Sequence, residues 1–298
     1  METALSVKNL SKKYGRINAV NDISFEVQRG SVFGILGPNG SGKTTTLGII
    51  LDIILPNGGE YYWFGKKSSK ENRKKIGSIL ETPNFYPYLS AVKNLQIISE
   101  IKDLPIENIE TSIKTVGLYE RRNSSFKTFS LGMKQRLAIA SAIIGNPEVI
   151  ILDEPTNGLD PQGIFEIREL IKQIAAQGTT VILASHLLDE VQKVCTHFAI
   201  LKSGKILFKG NAKDLSHNVK SFEISSDDNN KLYEILKNYN EIKSISKEEN
   251  ILVATCSNEV SAVNINSYLF SKDVTLSHLV LRKESLEKQF LEILNETR

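Results

Sequence analysis

Hydrophobic and polar positions near the start of the chain predict three strands and one helix. Residues 6–10 and 23–27 alternate between polar and apolar side chains, which is typical of half-buried strands. Residues 31–36 are almost continuously apolar, which predicts a central strand that is buried on both faces. A helix is predicted to begin at Gly42 and to run through Ile53.

Helices and strands are predicted to alternate through the middle of the chain. The segment of about residues 85–145 is predicted to be a helical insert, because apolar residues recur there at helical spacing. These residues are Val92, Leu95, Ile98, Ile109, Ile113 and Val116. Residues 149–152 and 179–184 predict buried strands, while about 161–176 and 187–194 predict helices. Strands that alternate with helices indicate a parallel α/β sheet.

The pattern restarts beyond a boundary that we place near residues 214–220. Strands are predicted at residues 221–225, 242–246, 251–255 and 274–281, and helices at residues 231–239 and 259–271. In chain order these elements run β-α-β-β-α-β, which is the ferredoxin-like order. A final amphipathic helix is predicted over residues 286–294. We therefore expect two domains, over residues 1–215 and 220–298.

Composition excludes several classes of protein. The formal charge of +3 on 298 residues is too small for a dedicated nucleic-acid-binding protein. Residues 47–55 are the longest apolar stretch in their region and include Asp52, whereas a membrane-spanning helix needs about 20 apolar residues. Residues 1–3 begin no secretory signal, and the two cysteines and four histidines are scattered, which fits the cytosol and no zinc site.

A P-loop is the strongest chemical motif in the sequence. It follows the predicted strand at residues 31–36 and opens the next helix, which is the context that the motif requires. Its residues are Gly37, Pro38, Asn39, Gly40, Ser41, Gly42, Lys43 and Thr44, with Thr45 directly after them. Glycines let backbone N–H groups wrap phosphates, Lys43 supplies a positive charge, and the Thr44 hydroxyl can ligate Mg²⁺. A plain glycine-rich turn is a poor alternative with every motif position filled.

Two adjacent acids end the apolar run at residues 149–152. Successive residues at a strand end point to different sides, so Asp153 and Glu154 can have different roles. Asp153 fits a ligand of Mg²⁺, and Glu154 fits the group that polarises an attacking water. A helix cap without chemistry is the alternative, and it suits an isolated Asp-Glu pair better than one in a P-loop protein.

Three further sites have ordinary structural alternatives. Ser130-Leu131-Gly132 precedes a helical pattern, so it predicts either an anion site or a simple N-cap. His186 follows a predicted strand and either donates to a phosphate or is structural. Tyr14 precedes the P-loop and either stacks on an adenine or belongs to the core.

These motifs, in this order, closely resemble the ATP-binding subunit of ABC transporters over about residues 4–215. Gly37–Thr44 resembles the Walker A motif and Val149–Glu154 resembles Walker B. Ser130–Met133 resembles the ABC signature, although Leu131 stands where glycine is usual and Met133 where glutamine is usual.

The resemblance also implies residue roles and a fold. Asn157–Asp160 resembles the D-loop, with Asp160 near the nucleotide, His186 resembles the switch histidine, and Tyr14 resembles the adenine-stacking residue. The implied fold is an α/β P-loop NTPase core with an antiparallel β subdomain and a helical insert, followed by a small C-terminal α+β domain. ATP and Mg²⁺ are the implied ligands.

The implied assembly is a two-fold symmetric homodimer. Each ATP would lie between the Walker A motif of one chain and the signature of the other, giving two equivalent sites. Closing on ATP and opening after hydrolysis would drive a separate integral-membrane permease. The chain is therefore expected at the cytoplasmic face of the membrane, without inserting into it and without binding nucleic acid.

One departure from the family pattern indicates a subgroup. Glu81 ends the predicted strand at residues 76–80, where most members have glutamine. It is expected near the metal and the γ-phosphate and in contact with the membrane partner, while a helix cap in the turn at residues 81–84 is the alternative. Together with Ser130–Arg136, this resembles exporters that protect bacteria from bacitracin and lantibiotics, and residues 285–291 resemble the tails of such exporters.

We therefore interpret the chain as the ATPase subunit of an antibiotic or peptide exporter. A non-transport ABC ATPase is the main alternative, but those proteins carry paired ATPase domains or long coiled coils. A P-loop kinase is a third alternative, against which the signature and D-loop argue. The sequence does not identify the cargo.

Overall fold

A computed structural model describes residues 2–81, 84–211, 220–257 and 259–282. The chain divides into two compact units, residues 1–210 and 211–298. The segments 212–219 and 283–298 lie outside the described residues, so the predicted boundary near 214–220 and the predicted helix at 286–294 stay predictions. In the part of the chain that is described, no helix is long and apolar enough to cross a membrane.

The first unit contains two sheets and seven α-helices among its described residues. Its strands are β1 (Thr3–Tyr14), β2 (Ile17–Gln28), β3 (Val32–Leu36), β4 (Gly58–Trp63), β5 (Lys66–Lys67), β6 (Ile76–Ile79), β7 (Val149–Asp153), β8 (Thr180–Ser185), β9 (His197–Lys202) and β10 (Lys205–Asn211). Its helices are α1 (Lys43–Ile50), α2 (Lys70–Lys74), α3 (Ala91–Lys102), α4 (Glu107–Thr115), α5 (Leu131–Ile143), α6 (Pro161–Ala176) and α7 (Leu188–Val194). The predicted α/β architecture is confirmed.

A six-stranded sheet forms the centre of the first unit. Its strands lie in the order β10-β9-β3-β8-β7-β6, and β3, β8, β7 and β6 are parallel to one another. Every residue of β3, β7 and β8 is buried, as expected for strands covered on both faces. The carboxyl ends of these strands meet at one edge of the sheet, which is where open α/β sheets bind ligands.

A four-stranded sheet, in the order β2-β1-β4-β5, packs on the same core. Strand β1 pairs antiparallel with both β2 and β4, which matches the antiparallel subdomain implied by the resemblance. The indole N–H of Trp63 on β4 donates a 2.8 Å hydrogen bond to the carbonyl of Ile50 at the end of α1. This contact ties the subdomain to the helix that follows the P-loop.

Helix α1 ends earlier than the sequence pattern predicts. Its last residue is Ile50, so the prediction that it runs through Ile53 was wrong. The backbone N–H groups of Ile53 and Ile54 both donate to the carbonyl of Gly48, at 2.9 and 3.0 Å, which closes the helix. Asp52 has a φ of +61° there, and its carboxylate accepts hydrogen bonds from three side chains of the following segment. These donors are Tyr61, Ser68 and Arg73.

The described residues of the second unit form an antiparallel sheet with two helices. Its elements are β11 (Lys220–Ser226), α8 (Asn229–Lys237), β12 (Ile242–Glu248), β13 (Ile251–Cys256), α9 (Ala262–Phe270) and β14 (Leu276–Arg282). The sheet order is β12-β13-β11-β14, with every neighbouring pair antiparallel, which confirms the predicted ferredoxin-like arrangement. Its core includes Phe222, Leu232 and Ile265 and no charged residue of the described segments.

Candidate active site

The P-loop joins the carboxyl end of β3 to α1. Gly42 is the N-cap of α1 and has a φ of +105°, a conformation that side-chain-bearing residues rarely adopt. A Cβ atom on Gly42 would stand 2.2 Å from the carbonyl oxygen of Ala19, and one on Gly37 would stand 2.3 Å from that of Leu201. The loop therefore needs glycine at both positions to bring its backbone against the flanking strands.

Lys43 is a buried cation at the centre of this loop. Its side chain is only 5% exposed, and its Nζ donates to the carbonyls of Gly37 and Pro38 at 2.8 and 3.3 Å. The same ammonium lies 3.2 Å from Oε1 of Glu154. Because a buried charge is costly without partners, these contacts hold the ammonium between the loop and β7.

Asp153 lies beside the first turn of α1. Its Oδ2 accepts a 2.7 Å hydrogen bond from the Thr44 hydroxyl. Burial raises the pKa of the Asp153 carboxyl; the Thr44 hydrogen bond and Lys43 oppose this rise, and the nearby Glu154 and Glu81 carboxylates add to it. The buried atoms Asp153 Oδ1 and Ser41 Oγ have no hydrogen-bond partner among the described residues.

Such unpartnered polar atoms fit a site that a nucleotide and Mg²⁺ complete. An unsatisfied buried oxygen costs free energy, of the order of 1–3 kcal/mol, unless a ligand supplies the missing contact. The described residues contain no group of three or more His, Cys, Asp or Glu side chains that could hold a metal by themselves. Mg²⁺ in nucleotide sites typically uses one or two carboxylates together with phosphate oxygens, so Thr44 and Asp153 suit it.

Glu154 connects the P-loop to His186. Its backbone has a φ of +49°, and its N–H donates to the carbonyl of Ala184 at 2.9 Å, which places the side chain just beyond the sheet edge. Oε2 of Glu154 lies 2.8 Å from Nδ1 of His186. A carboxylate only accepts, so Nδ1 carries the hydrogen in this pair. The two oxygens of Glu154 therefore contact Lys43 on one side and His186 on the other.

Glu81 and Tyr14 lie at the margin of this group. Glu81 follows β6 with a φ of +56°, is exposed, and lies close enough to Asp153 to affect its pKa. Tyr14 ends β1 with its side chain 47% exposed, and Lys12 Nζ lies 5.1 Å from the centroid of its ring. A half-exposed ring suits a stacking surface better than a place in the core, which was the alternative.

The signature and D-loop residues lie elsewhere on the same unit. Ser130 caps α5 by accepting from the N–H of Met133 at 3.3 Å, and Asp160 caps α6 by accepting from the N–H of Gly163 at 2.9 Å. The side chain of Leu131 is 49% exposed, and its Cδ2 would lie 3.2 Å from a Cβ placed on Gly158. Among the described residues, no hydrogen bond or ion pair joins Ser130–Met133 or Asp160 to the P-loop.

Three buried polar residues beside Glu154 and His186 were missed by the sequence reasoning. They are Thr156, Ser185 and Glu190, which are 4%, 0% and 4% exposed. No simple pattern marks them, since an acid in the first turn of a helix such as α7 ordinarily indicates only a favourable helix start.

Comparisons with known proteins agree with this arrangement. A family model described as ABC transporter matches residues 20–157. The bacitracin transport ATP-binding protein BcrA of Bacillus licheniformis is 34% identical over 300 residues, covering 99% of this chain and 98% of that protein. The lantibiotic transport ATP-binding protein SrtF of Streptococcus pyogenes is 38% identical over 205 residues, covering 69% of this chain and 90% of that protein.

A solved structure is also similar. The dimeric, post-hydrolysis state of the ATP-binding cassette MJ0796, bound to ADP and Pi, matches with a TM-score of 0.62 and 28% identity. The match covers 70% of this chain and 98% of the cassette.

Proposed function

This chain belongs to the ABC transporter ATP-binding family, and we propose that it hydrolyses ATP to power a separate membrane permease. The permease would export an antibiotic peptide or drug. The observation that carries the proposal is the contact of Lys43 and His186 with the two oxygens of one carboxylate, Glu154, beside the Thr44–Asp153 pair. A purified full-length chain that hydrolyses no ATP with Mg²⁺ would contradict it.

Binding is assigned to the P-loop and Tyr14. The backbone N–H groups of Gly37–Thr45 and the N-terminus of α1 favour the phosphates of ATP, and Lys43 adds its charge to them. The exposed ring of Tyr14 supplies a surface for the adenine. Thr44, Asp153 and Glu81 would hold Mg²⁺, which when bound neutralises charge on the phosphates.

Hydrolysis is assigned to Glu154 and His186. The Glu154 carboxylate accepts a proton from the attacking water, a role that requires a base within hydrogen-bonding reach of the reacting group. The hydrogen bond from His186 Nδ1 orients that carboxylate. While Nδ1 donates to Glu154, Nε2 of His186 can donate to a phosphate only when the ring carries two protons.

The complete site is proposed to need two copies of the chain. Ser130–Met133 and Asp160 are proposed to contact the nucleotide of a partner chain. In support, their hydrogen bonds among the described residues cap helices α5 and α6, and none goes to the P-loop of their own chain. The dimeric form of the MJ0796 cassette supports this assembly. A two-fold homodimer would then contain two equivalent composite sites.

The transport role is supported by the relatives. BcrA and SrtF are named for bacitracin and lantibiotic transport, so an antibiotic peptide is the proposed class of cargo. The chain would lie at the cytoplasmic face of the membrane, where it meets its permease. A neighbouring gene that encodes about six apolar segments of about 20 residues would support this over a non-transport ABC ATPase.

We expect Glu81 to affect transport more than ATP binding. Its carboxylate adds negative charge near Asp153, which attracts Mg²⁺ and repels phosphate, so the net effect on ATP affinity is small. Glu81→Gln and Glu81→Ala should therefore change the Kd for ATP by less than about threefold. Export in cells that carry the permease should fall in the alanine variant.

Glu71→Ala is the matched control for Glu81, because Glu71 is an exposed acid in the first turn of α2. Normal export by both Glu81 variants would contradict the proposed role.

Residues 1–215 are proposed to form the ATP-binding domain, with residues 220–298 as an accessory domain. Every residue assigned to the ATP site lies in the first compact unit. We therefore expect a chain truncated after residue 215 to bind ATP with the affinity of the full chain, measured by isothermal titration. A folded truncated protein that has lost nucleotide affinity would show that the second unit contributes to the site.

A further inference from the structure

Glu190 is a buried carboxylate that the proposed reaction does not use. It lies in the first turn of α7 and is 4% exposed. Its Oε2 accepts hydrogen bonds from the Thr156 hydroxyl at 2.5 Å and from the Ser185 hydroxyl at 3.2 Å. Its Oε1 is buried without a hydrogen-bond partner among the described residues. Burying a carboxylate is costly, so this position calls for a reason beyond packing.

The two hydroxyl donors belong to the two segments that carry Glu154 and His186. Thr156 follows Glu154 by two residues, and Ser185 directly precedes His186. The Ser185 hydroxyl also accepts a hydrogen bond from the N–H of Leu187 at 3.1 Å. It therefore ties together the residues before and after His186. A single oxygen of Glu190 therefore links the chain after Glu154 to the chain around His186.

The same link reaches the P-loop. The carbonyl of Ser185 accepts from the N–H of Gly37 at 3.3 Å, where the loop leaves β3. The direct contact between Glu154 and His186 is one 2.8 Å side-chain pair at the edge of the sheet. Buried hydrogen bonds immediately behind such a pair restrict both partners and limit their relative movement.

A helix-stabilising role does not explain why the carboxylate of Glu190 is buried. An acid in the first turn favours the helix dipole while it remains exposed, and Asp189 meets that description with a side chain 57% exposed. Asp189 pairs with Lys193 on the surface of the same helix, at 2.6 Å. Glu190 instead points inward, where its hydrogen bonds go to other segments of the chain.

We infer that Glu190 is a positioning residue that holds His186 in register with Glu154 for ATP hydrolysis. The inference rests on the proposed role of Glu154 in hydrolysis. Among the described residues, the hydrogen bonds of Glu190 go to Thr156 and Ser185 and none goes directly to the P-loop or to Tyr14. Its loss should therefore change kcat and leave the KM for ATP unchanged. Misplacing a reacting group by about 1 Å can cost about 100-fold in rate, and a partly loosened pair should lose at least about 10-fold.

The test compares four single variants and one double variant of the full-length chain by steady-state ATP hydrolysis. Glu190→Ala removes both hydrogen bonds and should lower kcat about 10-fold or more at unchanged KM. Glu190→Gln retains one carbonyl oxygen for both hydroxyl donors, so its kcat should stay within about threefold of the wild type. Thr156→Val removes one donor and should lower kcat by itself, but not further when combined with Glu190→Ala. Asp189→Ala, the matched control on the same helix, should leave kcat unchanged.

Several outcomes would overturn the inference. Unchanged kcat in Glu190→Ala and Thr156→Val would do so, as would a rise in KM that accounts for the whole loss. If Glu190→Ala fails to fold, Thr156→Val decides the matter by the same split between kcat and KM. A wild-type chain that hydrolyses no ATP would instead refute the proposed function, so the two failures are distinguishable.

Discussion

Replacing Glu154 by glutamine is expected to leave ATP binding intact and to lower hydrolysis by about 100-fold or more. The amide has the shape of the carboxylate but cannot take a proton from water. It also removes a negative charge 3.2 Å from Lys43, so the affinity for ATP should not fall. The dimer is expected to open only after hydrolysis, so ATP should trap a dimer of twice the 33.2 kDa chain mass. Light scattering after size exclusion would measure this mass.

Glu169→Gln is the matched control for Glu154→Gln. Glu169 is an exposed acid on α6 that pairs with Lys172 at 2.8 Å and belongs to none of the motifs of the site. This control should hydrolyse ATP at the wild-type rate and should form no trapped dimer. Normal hydrolysis by Glu154→Gln, or a variant that binds ATP without dimerising, would contradict the role given to Glu154.

Lys43→Ala is expected to weaken ATP binding by about tenfold or more. A charge-assisted hydrogen bond contributes about 1.5–3 kcal/mol, and about 1.4 kcal/mol corresponds to a tenfold change in affinity. Truncation removes the only positive side chain among Gly37–Thr45. It also leaves the carbonyls of Gly37 and Pro38 without their donor and Glu154 without its cation.

The Lys43 result needs a check on folding, since the side chain is buried. Circular dichroism and the melting temperature of the nucleotide-free protein separate lost affinity from lost structure. Lys172→Ala removes an exposed lysine that is also paired with a glutamate, so it should bind ATP normally. A folded Lys43→Ala chain with wild-type ATP affinity would show that the P-loop is not the phosphate site.

The sequence predicted the three buried strands after which the main residues of the site stand. The P-loop, Asp153 and His186 follow the strands predicted at residues 31–36, 149–152 and 179–184, and the carboxyl ends of parallel strands meet at one edge of a sheet. That argument places Lys43, Asp153 and His186 near one another without any coordinates. The ferredoxin-like order of the second unit was also predictable, because its strands and helices differ clearly in period.

Other features depend on tertiary contacts that no local pattern reveals. The apolar run that contains helix α1 continues past Ile50. The helix nevertheless ends at Ile50, because Asp52 turns the chain and accepts hydrogen bonds from Tyr61 and Arg73 of later segments. Glu190 shows the same limit, because an acid in the first turn of α7 looks like a surface residue until Thr156 is placed against it. In both cases the deciding partner is distant in sequence.

The ATP site is proposed to be shared between two copies of the chain. Ser130→Glu places a negative charge in the signature, where it should repel a phosphate of the partner's nucleotide while sparing ATP binding to its own P-loop. Lys43→Ala disables the P-loop but leaves the signature unchanged. Each variant alone should lack hydrolysis, because both sites of its homodimer are defective.

Mixing these two variants shows whether two chains share each ATP site. A mixed dimer contains one site built from the intact P-loop of one chain and the intact signature of the other. With a shared site, ATP hydrolysis should reappear on mixing, well above the sum of the separate variants, and should be greatest at equal concentrations. Hydrolysis that stays at the sum of the separate variants, with both chains folded, would contradict a shared site.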